Sequence, residues 1–335
     1  MLKFENHRIP SFTAVFGKGA KERLADYVNS AKLLQKEYHK HWLYFLFDIF
    51  VCKFFYGADL NDDYLYFKMY KMKSHERNKY VTYGRFVKIT KWFFTDYANE
   101  YTDSKKGFLE HYKPFHKRDY VLCPHEYNEG VENLLKGNKY VFFKEDYSNC
   151  ANGVRRFESD QLLSNKNLLK ELLSSNGVIE AGVVQCREMA ALNPSSCNTL
   201  RLTTMVEKDG AIRFFSAALR VGGIGAYIDN IHAGGCAFHV DVETGIVLSA
   251  GRGLQGEYCI FSPTGIVVPG MQIPHWDKVK REIVEAAKVC PEARFVGWDV
   301  AITDNGPVII EANNASSGTV FQYDGGKWEY FLAQK

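Results

Sequence analysis

The chain has 335 residues, of which 46% are hydrophobic and 24% are charged, as in globular rather than disordered proteins. The formal net charge of +3 is too small to indicate a nucleic-acid partner by itself, and Met1–His7 contain no apolar run of the kind found in a secretory signal. A chain of this length can bury a large core, so we expect two or three subdomains.

The first third of the chain is predicted to be mainly helical. Apolar residues recur there at three- and four-residue steps, in Leu33–Tyr56 and again in Tyr64–Tyr70. The most apolar run, Trp42–Tyr56, contains Asp48 and Lys53 and is too short and too charged to span a bilayer. We expect it to form a buried helix, while contact with a membrane surface stays an open alternative.

A basic and aromatic segment overlaps this helical region. Residues 61–120 contain 13 Lys and Arg against 8 Asp and Glu, interleaved with Tyr80, Tyr83, Phe86 and Trp92. The solvated faces of amphipathic helices would give this pattern, and so would a surface for an anionic partner such as a nucleotide-linked or lipid-linked phosphate. No recognised nucleic-acid motif is present, so we predict no nucleic-acid partner.

From about residue 121 the pattern changes to strands that alternate with helices. A short apolar strand over Tyr140–Lys144 ends in a lysine and is followed by a polar loop over Ser148–Val154. A helix is predicted over Ser159–Leu173 and a strand over Val178–Val184. The rest of the chain is predicted to be mostly β, with strands over residues 200–206, 212–221, 237–242 and 246–250 and an amphipathic helix over residues 276–289.

The eight cysteines are scattered along the chain, without a CxxC pair and without the Cys and His spacing of a zinc site. In a chain of this size, scattered cysteines indicate reduced and buried thiols. We therefore predict a cytoplasmic protein.

The most informative segment, residues 297–314, is predicted to form two antiparallel strands joined by a turn at Asp304–Gly306. If this turn has three residues with Gly306 in the left-handed conformation, Asp299 lies opposite Glu311 and Asn313 lies on the same face. A two-residue turn of Asn305 and Gly306 would instead place Asp299 opposite an alanine. The other face is predicted to be apolar, with Trp298, Val300, Ile302, Val308, Ile310 and Ala312.

Two like charges directly opposite each other destabilise a sheet. A hard divalent cation between Asp299 and Glu311 would remove the conflict, because Mg²⁺ binds carboxylate and carbonyl oxygens. The hairpin therefore predicts a metal site at Asp299, Glu311 and Asn313. The alternative is an ordinary hairpin with exposed acids.

The order of these features resembles the ATP-grasp superfamily: a lysine at a strand end, a polar loop, an acidic strand, an arginine-bearing sheet and the Asp…Glu-x-Asn hairpin. The chain is most similar to the sugar-transfer-associated ATP-grasp group over roughly residues 120–325, through residues 198–203, 229–235 and the hairpin. Residues 74–77 of the N-terminal region resemble that group more loosely.

The resemblance implies an α+β protein with the ATP-grasp fold, in which two α+β subdomains hold ATP, preceded by a mainly helical N-terminal region. The expected domains are the helical region over residues 1–120, a lid subdomain over residues 121–184, and a C-terminal subdomain with the metal site over residues 185–335.

The resemblance also implies that Mg²⁺, or Mn²⁺ in its place, bridges the ATP phosphates. Lys144 corresponds to the strand lysine that contacts the phosphates and the adenine region, and either Lys105 or Lys106 to an earlier basic residue at the α-phosphate. The loop that contains Asn152 and Gly153 corresponds to the phosphate lid, although the family usually has several glycines there.

The segment 180–184 occupies the place of the family's hinge, whose backbone, here at Ala181 and Val183, would hydrogen-bond adenine. Glu180 or Glu188 would bind the ribose hydroxyls, and either could equally be a surface acid.

Arg201 and Arg220 lie among apolar residues in predicted strands. A charge is rarely buried without a partner, and a guanidinium matches phosphate oxygens, so we predict that both bind phosphate. His232 is the third residue predicted to act in catalysis, by contacting either the substrate or a phosphate. The alternative is that His232 has a structural role. The remaining residues expected to bind substrate are Asn198, Asp229, Asn230, Gly234, Asn314 and Ser316.

Together with these residues, the resemblance implies an ATP- and Mg²⁺-dependent ligase that joins a small or sugar-linked carboxylate to an amine through an acylphosphate. The name of the group suggests a substrate from surface-polysaccharide or cell-wall assembly, which is an analogy rather than a deduction from residues. One alternative is an ATP-grasp phosphotransferase that uses the same residues. Another is a non-catalytic binding module that acts through the basic aromatic N-terminal region.

Overall fold

The computed structural model describes residues 19–148, 153–229, 234–253, 258–314 and 318–335. These residues divide into two compact units. The first unit contains residues 19–92 together with 318–335, and the second unit contains residues 93–314. The domain boundaries expected from the sequence stay predictions.

The first unit is helical, which confirms the helical region predicted before the sheets. Its elements are α1 (Ala20–Tyr38), α2 (Trp42–Tyr56), a π-helical segment (Leu60–Leu65), a 3-10 turn (Met69–Lys71), α3 (Ser74–Arg77) and α4 (Tyr83–Phe93). Helix α2 buries Phe45, Ile49 and Cys52 at helical spacing, and Gly57 ends it with a φ of 68°. The helix expected over Trp42–Tyr56 is confirmed, but the expectation that it is buried is wrong, because only this one face packs into the core.

Among the described residues, the N-terminal part of the second unit contains a four-stranded sheet and six helices. The helices are α5 (Asp96–Thr102), α6 (Lys105–His111), α7 (Lys113–His116), α8 (Glu129–Gly137), α9 (Ser159–Ser164) and α10 (Lys166–Ser174). Its strands are β1 (Tyr120–Cys123), β2 (Tyr140–Glu145), β3 (Val154–Glu158) and β4 (Gly177–Ala181), in the order β1-β4-β2-β3 and antiparallel throughout. The single helix predicted over Ser159–Leu173 is interrupted at Asn165, whose side chain accepts a hydrogen bond from the Leu168 N–H and so begins α10.

A seven-stranded sheet forms the rest of the second unit. Its strands are β5 (Thr199–Val206), β6 (Ile212–Val221), β7 (Cys236–Val240), β8 (Gly251–Arg252), β9 (Tyr258–Cys259), β10 (Phe295–Thr303) and β11 (Gly306–Asn314), in the order β11-β10-β5-β6-β7-β8-β9. Helices α11 (Arg187–Leu192) and α12 (Trp276–Ala287) belong to the same part of the chain. Side chains of α12 pack on this sheet in the largest hydrophobic core.

The strand predicted over residues 246–250 is wrong. Only isolated bridges form there, between Val240 and Val247 and between Ile246 and Gln272. The backbone of this segment divides its hydrogen bonds between two neighbours, because Val247 N–H donates to Met271 and Leu248 N–H donates to His239. Each neighbour forms only a single bridge with the segment, so no continuous ladder develops on either side.

One pair of cysteines contradicts the expectation of reduced thiols. Cys236 on β7 and Cys259 on β9 form a disulfide. Strands β7 and β9 both pair with the short strand β8, and this brings together two cysteines that are 23 residues apart in the sequence. Cys52, Cys123 and Cys290 are buried free thiols, as expected.

Two helices, α13 (Gly318–Phe321) and α14 (Trp328–Gln334), end the chain and belong to the first unit. Gln322 ties them to the N-terminal helices there, because its side chain accepts a hydrogen bond from the Val81 N–H at 2.6 Å and donates one to the Val81 carbonyl at 3.0 Å. Over the described ranges, we find no helix with the length and the apolar content needed to cross a bilayer.

Candidate functional site

The β10–β11 hairpin brings together the three residues predicted to bind a metal. Asp299 pairs directly with Glu311, and Asn313 lies two residues further along β11. Asp299 is buried, with 3% of its surface exposed, whereas Glu311 and Asn313 are only partly buried. The alternative of a hairpin with two exposed acids is therefore wrong for Asp299.

The turn of this hairpin differs from the prediction, although the site survives. Thr303 pairs with Gly306, so the loop has two residues rather than three. This shorter turn alone would place Asp299 opposite Ile310. A β-bulge at Ile310 adds one residue to β11 and restores the pairing of the two acids. As a result Ile309, and not Ile310 as predicted, joins the hydrophobic core.

Two arginines neutralise the Asp299 carboxylate. Arg201 lies directly opposite Asp299 on β5 and donates two hydrogen bonds to it, from Nε to Oδ1 and from Nη2 to Oδ2 at 2.9 Å. Arg220 on β6 donates from Nη2 to the same Oδ2 at 3.0 Å. Burial would raise the pKa of Asp299, but the charges of Arg201 and Arg220 outweigh it and hold the pKa well below its usual range. Asp299 therefore stays ionised in this environment.

Arg220 connects this cluster to Asp229, a residue predicted to bind substrate. Its Nη2 donates to Asp229 Oδ1 at 3.1 Å. The other oxygen of Asp229 accepts hydrogen bonds from the backbone N–H of Thr199, at 2.8 Å, and from the Thr199 hydroxyl. Burial raises the pKa of Asp229, and Arg220 opposes that shift. Arg220 thus lies between two buried acids, Asp229 and Asp299.

These contacts change the argument for a metal. Because Arg201 and Arg220 already offset the charge of Asp299, the pairing of Asp299 with Glu311 does not require a cation. In the described parts of the chain, no three His, Cys, Asp or Glu side chains form a group that could hold a metal. The hairpin offers two carboxylates and the amide oxygen of Asn313 instead. That donor set fits Mg²⁺, which commonly takes one or two protein carboxylates and completes its coordination with phosphate oxygens and water.

Of the two lysines considered for the α-phosphate, the structure brings Lys105 to the hairpin. Lys105 is buried, and its Nζ lies 3.8 Å from Glu311 Oε2. Lys106, one residue further along α6, donates instead to Asn176 Oδ1 at 2.6 Å. Adjacent helical residues point about 100° apart, so α6 can present only one of them to the hairpin.

Glu180 and Lys144 meet in a second buried cluster, on the small sheet. Glu180 is 2% exposed, which excludes the surface-acid alternative for it. Its Oε1 accepts a hydrogen bond from Lys144 Nζ, and its Oε2 is 2.9 Å from His116 Nε2 and 3.3 Å from Arg118 Nη2. Burial would raise the pKa of Glu180, but the charges of Arg118 and Lys144 hold it well below its usual value. Burial lowers the pKa of His116.

The predicted hinge follows this cluster. The Ala181 N–H donates to the Asp119 carbonyl, and the Ala181 carbonyl accepts from Arg118 Nη1 at 2.7 Å, so both backbone groups of Ala181 already have protein partners. Val183 is partly buried and lines a cavity of about 300 Å³ together with Arg118 and residues of the β10–β11 turn. Glu188, the other acid considered for the ribose, is exposed in the first turn of α11.

Asp103 is a residue of this site that sequence reasoning missed. The amide of Asn314, predicted to bind substrate, donates to Asp103 Oδ2 at 2.8 Å and to Asn99 Oδ1 at 3.2 Å. Burial raises the pKa of Asp103 to about 6, and the charge of Lys105 opposes that shift. Nothing in the sequence near Asp103 marks it as functional, apart from its position two residues before Lys105.

Asn198, predicted to bind substrate, has a structural role instead. It is fully buried, and its amide donates to the Met189 and Asn193 carbonyls at 2.9 and 3.1 Å. Its side-chain oxygen accepts from the Ser196 hydroxyl and the Gly222 N–H. An amide with protein partners on both its nitrogen and its oxygen orients the turn before β5 and has little left to offer a ligand.

Two of the predicted glycines have φ angles in the left-handed region, 79° at Gly153 and 83° at Gly234. A Cβ at Gly153 would also lie 3.0 Å from the Glu145 side chain. Each position therefore favours glycine. The remaining predicted residues, Asn152, Asn230, His232 and Ser316, lie outside the described residues.

Comparisons with known proteins bear on the fold of this site. A family model described as sugar-transfer associated ATP-grasp matches residues 156–327, which confirms the resemblance found in the sequence. No curated protein sequence matches the chain.

Several solved structures are similar to this chain at low identity. D-alanyl-alanine synthetase A from Vibrio cholerae is 13% identical, with a TM-score of 0.43 over 70% of this chain and 64% of that one. L-amino acid ligase from Bacillus licheniformis is 11% identical, with a TM-score of 0.43 over 70% and 47%. An ATP-grasp ligase complexed with a minimal precursor, Mg and ADP is 13% identical, with a TM-score of 0.40 over 72% and 61%. The chain therefore spans about half to two thirds of the length of these proteins.

Proposed function

This chain belongs to the sugar-transfer associated ATP-grasp family, and from that premise we propose that it is an ADP-forming, Mg²⁺-dependent carboxylate ligase. A substrate carboxylate attacks the γ-phosphate of ATP, and the resulting acylphosphate is attacked by an amine, which releases phosphate and forms an amide. The family description supports an acceptor from surface-polysaccharide or cell-wall assembly, such as a uronic acid or a sugar-linked amino acid.

The observation that supports this proposal best is the cluster of Arg201, Arg220 and Lys105 beside the hairpin acids. Arg201 and Arg220 are held in place by buried Asp299, and Lys105 lies 3.8 Å from Glu311. Three fixed cations next to two carboxylates suit a reaction between anions, because a substrate carboxylate and a γ-phosphate repel each other until their charge is offset. Two of the similar structures are named D-alanyl-alanine synthetase A and L-amino acid ligase.

In this proposal, Asp299, Glu311 and Asn313 would hold Mg²⁺. When bound, it would supply positive charge that offsets the charge of the ATP phosphates. The complex of a similar ligase with Mg and ADP supports both cofactors. Asp299 contributes through a carboxylate that the two arginines keep ionised.

The chain's own residues then perform the positioning. A guanidinium has five N–H donors, and Arg201 directs two of them to Asp299, which fixes the orientation of the others. Lys144 is paired with Glu180 and would share its charge with the phosphates of ATP. The hinge backbone at Val183, beside the cavity of about 300 Å³, would hold adenine. Asn314, oriented by Asp103, would face the acceptor.

The experiment is ATP consumption with Mg²⁺ in the presence of pooled uronic acids, amino acids and small amines, with ADP resolved from AMP. We expect ADP and free phosphate only when an acid and an amine are both present. Glu311→Gln keeps the shape of the side chain but removes the charge, and should lower the rate by about 100-fold. Glu171→Gln, on the exposed face of α10, is the matched control and should leave the rate unchanged.

Three outcomes would count against the proposal. Phosphate retained on one acceptor would indicate the phosphotransferase, and AMP as the product would exclude the acylphosphate route. Failure of the unmodified protein to bind ATP with Mg²⁺ by calorimetry would mean that the hairpin is not a nucleotide site.

A further inference from the structure

An apolar stripe runs along the outer face of α2 in the first unit. It consists of Leu43, Tyr44, Phe47 and Phe55, whose side chains are 52%, 47%, 72% and 81% exposed. Phe47 and Phe55 are the most exposed phenylalanines among the described residues. At 3.6 residues per turn, the four positions fall within an arc of roughly 120° and extend along roughly 18 Å of the helix. Exposed large apolar side chains along one face of a helix indicate an interaction surface.

The charges around the stripe indicate what covers it. Lys40 precedes α2, and its Nζ lies 4.4 Å from the centre of the Tyr44 ring. Asp48, the one acid of α2, is neutralised by Arg77 through two hydrogen bonds of 2.7 and 2.9 Å. A basic residue, Lys40, therefore borders the stripe, while the negative charge of Asp48 is neutralised by Arg77 within the same unit.

The first unit as a whole also carries a net positive charge. Residues 1–92 and 317–335 contain 19 Lys and Arg against 11 Asp and Glu, whereas the rest of the chain contains 23 against 28. The positive charge of the protein is thus concentrated in the unit that exposes the stripe. An anionic surface would attract this unit, while a second copy would bring two basic units together.

We propose that α2 lies in the interface of an anionic lipid bilayer, with the stripe among the acyl chains and Lys40 at the headgroups. A helix in this position has aromatic and aliphatic residues on one face and lysines at the polar boundary, and it binds without spanning the membrane. Helix α2 has 15 residues and exposes its apolar side chains on the face opposite to Phe45 and Ile49, which pack into the core. The inference does not depend on the ligase reaction.

The test is flotation of the full chain with vesicles of phosphatidylcholine, alone or mixed with phosphatidylglycerol. We expect binding to the mixed vesicles that weakens as salt is added. Replacing two inserted phenylalanines, in Phe47→Ser/Phe55→Ser, should weaken it by at least about tenfold. Lys40→Ala should weaken it by about fivefold, the effect of one charge at the surface. Phe261→Ser, at a 60% exposed residue of the second unit, is the control and should change nothing.

All the substituted side chains are exposed, so the variants should melt at the temperature of the unmodified protein. If the double variant does not, Phe55→Ser alone replaces it. The proposal is overturned if the unmodified chain does not float with mixed vesicles, or if the phenylalanine variants float as well as Phe261→Ser. It is also overturned if sedimentation shows a dimer that the double variant abolishes without any lipid binding, since a second copy would then cover the stripe.

Discussion

Glu180 neutralises buried positive charge at the small, four-stranded sheet. It is 2% exposed and is the acid that faces Lys144, Arg118 and His116. Lys144 and Arg118 lost much of their water on burial, and the carboxylate replaces part of that hydration. Removal of one acid therefore leaves two charged groups without their counter-charge, a larger penalty than the loss of a surface ion pair.

We predict that Glu180→Ala lowers the free energy of unfolding by about 3–5 kcal/mol, the usual effect of breaking a buried ion pair from one side. Urea denaturation followed by circular dichroism would measure it. Glu171→Ala, at an exposed position, should stay within about 0.5 kcal/mol of the unmodified protein. Equal stabilities of the two variants would show that Lys144 and Arg118 do not depend on Glu180.

Single residues also show how far the sequence predicts this site. Asp299, Glu311 and Asn313 could be placed on one face because strand alternation is a local rule. The pairing of Arg201 with Asp299 could not, because it depends on the register of two strands whose residues are 98 positions apart. Asp103 was missed for a similar reason, since its contact with Asn314 spans 211 positions.

At the scale of elements, the hairpin was predicted correctly in outcome and wrongly in detail. The sequence indicated that the two acids face each other, but it assigned the third turn residue to the loop. The structure instead places Gly306 in the first pair of the ladder and inserts a bulge at Ile310. Bulges depend on how a strand packs against its neighbours, so a turn motif alone could not reveal this one.

The turn itself gives a test. Gly306 has a φ of 105°, and a Cβ there would lie 2.8 Å from Lys278 Cδ. The lysine can move, because that contact is with the flexible part of its side chain, but the backbone angle is unfavourable for any other residue. We predict that Gly306→Ala lowers the free energy of unfolding by about 1–2 kcal/mol in urea denaturation.

Gly137→Ala is the matched control, at the last residue of α8. A Cβ there has no neighbour within 4 Å, and its φ is not in the left-handed region. It should be neutral or stabilising by up to about 1 kcal/mol. A Gly306→Ala protein as stable as this control would mean that the turn can adopt another conformation without cost.

At the scale of the whole molecule, the sequence indicated several subdomains but not their grouping. The helical and β regions follow from composition and periodicity, which are properties of neighbouring residues. The inclusion of the C-terminal helices in the first unit depends on contacts such as that of Gln322 with Val81, 241 residues apart. Two buried amide hydrogen bonds leave no pattern in the sequence.

Folding of the whole chain is linked to pH through Asp63 in the first unit. Asp63 is 4% exposed, and its Oδ2 accepts hydrogen bonds from the Asp59 and Tyr83 N–H groups at 2.7 and 2.8 Å. Burial raises the pKa of Asp63 to about 7, although these two hydrogen bonds oppose the shift. The folded state therefore keeps a proton that the unfolded state releases near pH 4.

The sign of the effect follows from proton binding. Between about pH 4 and pH 7 the folded state binds more protons than the unfolded state, so stability falls as the pH rises, by on the order of 4 kcal/mol from this group. Asp63→Asn keeps an oxygen for both N–H groups and cannot ionise. We predict that the stability of this variant relative to the unmodified protein increases across that pH range, as measured by urea denaturation at several pH values.

Asp26→Asn, on the exposed surface of α1, controls for the loss of one carboxyl from the same unit. The two variants should diverge as the pH rises, because only Asp63 must ionise without water. If their stabilities run parallel from pH 4 to pH 7, the two backbone hydrogen bonds compensate fully for burial, and Asp63 is ionised in the folded state at every pH in that range.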